Sequence, residues 1–143
     1  MVASPMNNTQ LAGERFQVRE GEILRMHGNV VYVRGRVSVV PGDGYLTTKR
    51  FVFCRKPRLP LGFGQFLRGR KIVFAFNLEE LQSITQQKHA MGRKHELRLR
   101  NTAVFGIQFG TRREAWLLAF GAAIRQIRPG IAPRYRKELI EFA

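Results

Sequence analysis

The sequence predicts a mainly β domain with one C-terminal α-helix, an antiparallel barrel or sandwich whose open end the helix plugs. Three observations carry this. From Ile23 to Gly110, short runs of β-branched and aromatic residues are separated by clusters of Gly, Pro, Asn and Asp, the pattern of strands joined by turns. After Gly110 the apolar period changes from two to three and four. The 143 residues fit one domain, and a 44% hydrophobic content is enough to give it a core.

Residues 1–15 are small and polar and read as a flexible leader, leaving 16–128 as the domain and 129–143 as a short tail. "NVVYVRG" ends a first strand at Gly35, and "RVSVV" runs into "PGDG", which reads as a turn with Gly42 and Gly44 supplying positive φ. "YLTTKRFVFCR" follows as a strand rich in aromatic and β-branched residues. In "KIVFAF" both alternating sets are apolar, so both faces are expected to be buried. "NLEELQSITQQ" starts with Asn77 as an N-cap candidate and predicts one turn leading into a strand at 81–86. "HELRLRN" alternates Leu97 and Leu99 with charged residues, and "AVFGIQFG" closes the strand series, about six or seven in all. "TRREAWLLAFGAAIRQI" predicts the helix, with Thr111 as N-cap, Glu114 completing a capping box, and Ala115, Trp116, Ala119, Phe120, Ala123, Ile124 and Ile127 on one face. Arg128, Pro129 and Gly130 stop it, and one more helical turn is expected over 136–142.

Three of these stretches, in this order, resemble the GRAM family. "GYLTTKRFVF" is similar to its Gly–aromatic–Leu–Thr signature, with Thr48 where the family often has Asn. "FNLEELQSI" is similar to its next strand and acidic turn, and "FGTRREAWLLAFGAAI" to its closing strand and tryptophan-bearing helix. The resemblance runs over roughly residues 18–127. It implies a pleckstrin-homology-like barrel of two near-orthogonal antiparallel sheets capped by a helix, and a non-catalytic module that binds membrane lipids or proteins. It carries over no ligand contacts, because the family has no universal lipid-binding residue set.

The residues themselves offer little for catalysis. The one aspartate, Asp43, sits in the "PGDG" stretch, and there is no HExxH, G-x-S-x-G or P-loop motif. His27, His89 and His95 are scattered and read as exposed loop residues without a zinc spacing, so no metal and no cofactor is expected. Gly62 and Gly64 give a G-x-G, but Leu67 stands at the third glycine position of a dinucleotide fingerprint. Cys54, the single cysteine, reads as a packed small hydrophobe. The N-terminus has no secretory pattern and no window approaches the ~18 apolar residues of a membrane span, so cytoplasmic residence with peripheral membrane contact is expected.

The net charge is +15, from 25 Lys and Arg against 10 Asp and Glu, which points to an anionic partner. No acid occurs from Gly44 to Leu78, where Lys49, Arg50, Arg55, Lys56, Arg58, Arg68, Arg70 and Lys71 are the expected anion-binding residues. Between the last two groups stand Leu59, Leu61, Phe63 and Phe66, expected to insert into a membrane or dock a partner. Cations flanking Phe suit an anionic phospholipid surface, where charge and hydrocarbon lie close together. Other readings remain open at this level: an apolar tip folded back on the barrel, a solvated loop, or a dock for an acidic protein, with the domain acting as a scaffold. RNA is a further alternative, since basic residues interleaved with aromatics, together with the basic "RKHELRLR", suit phosphate contacts and base stacking.

Overall fold

The computed structural model describes residues 15–36, 38–55, 71–89, 92–130, 133–136 and 139–142. Its strands are β1 (Leu24–Val33), β2 (Val39–Thr47), β3 (Arg50–Arg55), β4 (Ile72–Asn77), β5 (Leu81–His89), β6 (Gly92–Leu99) and β7 (Val104–Gln108), followed by helix α1 (Arg113–Ile127) and two short strands, β8 (Arg134–Arg136) and β9 (Leu139–Glu141). The strands pair antiparallel in the order β4-β3-β2-β1-β7-β6-β5-β9-β8.

The two expected sheets are joined in one continuous ladder, with the seam at three residue pairs between β1 and β7: Val31 with Gln108, Tyr32 with Ile107 and Val33 with Gly106. The ladder curls on itself. Phe74 of β4 stacks on Phe105 of β7 at 4.1 Å between ring centroids, although three strands separate them in the hydrogen-bonded order. Into the resulting core the helix sends Trp116, Phe120, Ala123 and Ile124, all buried, while Ala119 and Ile127 are half-buried and Ala115 is exposed. Trp116 packs edge-on to Phe51 and stacks on Phe109, so it closes the barrel as the apolar periodicity requires.

A second apolar cluster lies on the other side of β3 and β4: Val52, Cys54, Ile72 and Ala75, covered by Phe16 and Tyr45. Cys54 is buried there, and the two-sided apolar pattern of "KIVFAF" has its explanation: Phe74 and Phe76 enter the main core, while Ile72 and Ala75 face the chain that precedes β1.

Four local expectations are corrected. "PGDG" lies inside β2, and the β1–β2 connection falls instead at Arg34–Ser38, where the Arg34 amide donates to the Ser38 carbonyl at 2.9 Å. Gly42 and Gly44 serve close approach rather than a turn: a Cβ on Gly42 would lie 2.2 Å from the Cys54 carbonyl oxygen. "YLTTKRFVFCR" is two strands, split by a tight turn at Thr48–Lys49. The capping box does not form. Gly110, at φ +69°, starts a 3₁₀ turn that takes up Thr111, and the helix begins after Arg112 with no side-chain cap. Where a helical turn is expected over 136–142, the described residues are extended: β8 ends at Arg136, and β9 pairs with β5 while Ile140 and Phe142 are buried with period two. Asn77 does precede a single 3₁₀ turn, Leu78–Glu80, and a strand from Leu81, without making a side-chain cap.

Candidate functional site

The residues expected to bind anions separate into three groups. Lys56, Arg58, Arg68 and Arg70, with Leu59, Leu61, Phe63 and Phe66, lie outside the described residues. Arg55 and Lys71 are exposed at the facing ends of β3 and β4. Lys49 and Arg50 are at the far end of β3, six and five residues from Arg55, or roughly 17–20 Å at strand rise.

Arg50 is a correction. It is 3% exposed, and its guanidinium is committed to Glu22 at 2.8 Å. Its Nη2 also donates to the Gln17 carbonyl at 2.6 Å, and the Phe16 ring lies against it, with the guanidinium carbon 5.3 Å from the ring centroid. The Thr47 hydroxyl donates to Glu22 at 2.6 Å and accepts the amides of Lys49 and Arg50, so Thr47 and Arg50 form a buried tie to the chain before β1. Burial works against ionisation of Glu22, but the Arg50 hydrogen bond, the Arg19 amide, the Thr47 hydroxyl and the Arg50 charge outweigh it and hold the carboxyl below the usual range.

Other cations join Arg55 and Lys71. The register pairs Val33 with Val39 and Gly42 with Arg55, so the Arg34–Ser38 connection lies at the same end of the sheet as Arg55 and Lys71. Arg34 and Arg36 are exposed there, and exposed Arg15 bridges to Lys71. From Ile23 to Leu78 the only acid is Asp43, which is buried. This end of the sheet therefore gathers Arg15, Arg34, Arg36, Arg55 and Lys71. Sequence reasoning missed Arg15, Arg34 and Arg36 because they are remote from the 55–71 stretch along the chain, and strand register alone unites them.

A cleft of about 370 Å³ opens where β1, β6 and β7 meet the start of the helix. Asn29, Arg93, His95, Gln108, Gly110 and Arg113 line it, with Phe109 on its wall and no carboxylate among its lining residues. His95 is not the exposed loop residue expected. It sits on β6, 3% exposed, 5.5 Å from the Phe109 ring between centroids, and neither ring nitrogen has a hydrogen-bond partner. Burial, reinforced by the charge of Arg113, lowers its pKa to about 4, so the imidazole is neutral at pH 7. A wider groove of about 700 Å³ adjoins it, lined by His27, Tyr45, Arg112 and Trp116, and this one includes Asp43. Among the described residues no group of three His, Cys, Asp or Glu side chains could hold a metal, and no helix is long and apolar enough to cross a membrane.

No family model and no curated protein matches the chain. Solved structures do. Vav1, in a structure with an allosteric inhibitor, superposes with a TM-score of 0.56 at 18% identity, covering 90% of this chain and 36% of that one. The linker-DH/PH domains of p115-RhoGEF superpose at 0.53 and 8% identity, covering 71% and 29%. The C-terminal domain of an unknown protein from Leishmania infantum superposes at 0.53 and 16% identity, covering 72% and 84%. The fold is pleckstrin-homology-like. At these identities the likeness establishes the fold alone, and the PH-like chain spans about a third of the length of the Vav1 and p115-RhoGEF chains.

Proposed function

We propose that this PH-like chain is a non-catalytic binding module of GRAM type that associates peripherally, on the cytoplasmic side, with anionic phospholipid surfaces. The observation that carries the reading is the convergence of Arg15, Arg34, Arg36, Arg55 and Lys71 on one end of the sheet. The 56–70 segment that joins β3 to β4 adds Lys56, Arg58, Arg68 and Arg70, with Phe63 and Phe66 between them in sequence. Near an anionic bilayer each cation contributes on the order of 1 kcal/mol, and two Phe side chains entering the acyl boundary add roughly 2–4 kcal/mol. The GRAM assignment rests on the three motifs in order, the strongest being "GYLTTKRFVF".

Flotation with neutral and anionic liposomes, run beside an RNA-binding assay, tests the reading. Binding to anionic vesicles is expected to weaken with salt and to retain an apolar component that Phe63→Ser/Phe66→Ser removes. Tight RNA binding at physiological salt with no anionic-liposome binding would replace the lipid reading with a nucleic-acid one. A lowered melting temperature of the double Phe variant with unchanged liposome binding would make the segment a cover for the barrel.

A further inference from the structure

The buried imidazole of His95 poses a problem that the basic sheet end does not solve. Its two ring nitrogens are withdrawn from water without a hydrogen-bond partner, a situation that costs free energy and is rare in folded proteins. The ring lines a cleft whose other polar groups are two guanidinium groups, Arg93 and Arg113, and two amides, Asn29 and Gln108. Arg113, the first residue of a 15-residue helix that has no side-chain cap, also lines the cleft, so the positive end of the helix dipole lies at its edge, while the Arg113 amide itself is taken by the Gly110 carbonyl. The guanidinium groups are donors only and the two carboxamides can donate, and the adjoining groove, not this cleft, contains Asp43.

We propose that this cleft is a binding site for a phosphate group, with Arg93 and Arg113 countering its charge and the His95 ring donating one N–H to an oxygen. The size fits a phosphate carried on a small organic body rather than the bare ion, since ~300 Å³ is already the scale of a small-ligand pocket. The site uses none of the five cations of the sheet end, so it stands or falls independently of the membrane reading.

With a net charge of +15, global binding of phosphate would report only on the surface, so the readout must be local. Inorganic phosphate is titrated into the full chain at constant ionic strength, with chloride as the control, while the His95 ring ¹⁵N resonances are followed by NMR. Saturable movement of the His95 resonances with phosphate and not with chloride is expected. Arg113→Gln and Arg93→Gln are each expected to weaken that titration about tenfold, the loss of one charged hydrogen-bond donor. Arg93 is exposed, so its variant keeps the test open if Arg113→Gln impairs folding. Arg55→Gln/Lys71→Gln is expected to leave the His95 titration unchanged while weakening liposome flotation, which separates this site from the membrane reading. Glycerol 3-phosphate and vesicles of phosphatidic acid then identify the source: movement of His95 with both assigns the site to a lipid headgroup, and with the soluble ester alone to a soluble phosphate compound. His95 resonances that stay fixed in phosphate, or move equally in chloride, overturn the proposal.

Discussion

The Glu22 carboxylate takes the Arg50 guanidinium at two points, Nε at 2.8 Å and Nη2 at 3.2 Å, with both side chains sealed from water. The pair lies 28 residues apart in sequence and fastens the chain before β1 to the β2–β3 turn. Removing one partner leaves the other charged and buried. Glu22→Ala is therefore expected to destabilise the domain by about 3–5 kcal/mol in urea unfolding, while Glu22→Leu/Arg50→Met recovers much of the loss. Equal stability of Glu22→Ala and the wild type would show that this tie does not hold the N-terminal segment.

Stability is expected to fall as pH drops below neutral, in two stages. The folded His95 pKa, about 4, lies below the ordinary 6.5, so between these values the unfolded chain binds the extra proton and stability decreases with acidification. The shift corresponds to a loss on the order of 3 kcal/mol once both values are passed. The lowered Glu22 carboxyl adds a second loss below its ordinary value of 4.5, as protonation disables the Arg50 pair. Urea midpoints measured from pH 7.5 to 3.5 in phosphate-free buffers check this. His95→Gln should flatten the upper stage and leave the lower one.

Trp116 is seated over Gly44: a Cβ on that glycine would lie 3.2 Å from the Trp116 ring and 3.1 Å from Phe51. Trp116→Ala is expected to cost about 3–5 kcal/mol, the price of emptying a fully buried aromatic site. Gly44→Ala should cost about 1–3 kcal/mol, because the rings must shift. Gly42→Ala should cost more, since its Cβ meets a backbone carbonyl oxygen that cannot rotate away. Thermal denaturation of the three variants gives the order, and a harmless Gly42→Ala would contradict the strand register of β2 on β3.

Lys49 and Arg55 make a matched pair for locating the membrane-facing surface, since both are exposed cations at opposite ends of the β2–β3 hairpin. Arg55→Gln is expected to lower anionic-liposome affinity by roughly 1 kcal/mol at moderate salt, and Lys49→Gln to leave it unchanged. The reverse ranking would move the contact to the Thr48–Lys49 turn.

Much of the fold was legible because local pattern carries it. The period-two run "HELRLR", and the three-and-four spacing of Trp116, Phe120, Ala123 and Ile124, follow from which face of an element meets the core, which a short stretch of sequence encodes. The tail misled for the same reason: "RKELIEF" is short enough to read as helical or extended, and only the unpaired edge of β5 decides for a strand.

By itself the sequence determined a β domain closed by one helix, the buried role of Cys54 and Trp116, and an excess of positive charge. Tertiary structure alone decided what that charge does. It buried Arg50 against Glu22, sent Lys49 to the far end of the sheet, brought Arg15, Arg34 and Arg36 beside Arg55 and Lys71, and enclosed His95 in a cleft with Arg93 and Arg113. The physical reason is range. Backbone periodicity is set by neighbours a few residues apart, whereas the environment of a charge is set by side chains that only strand pairing and burial bring together, and no local spacing in the sequence records that arrangement.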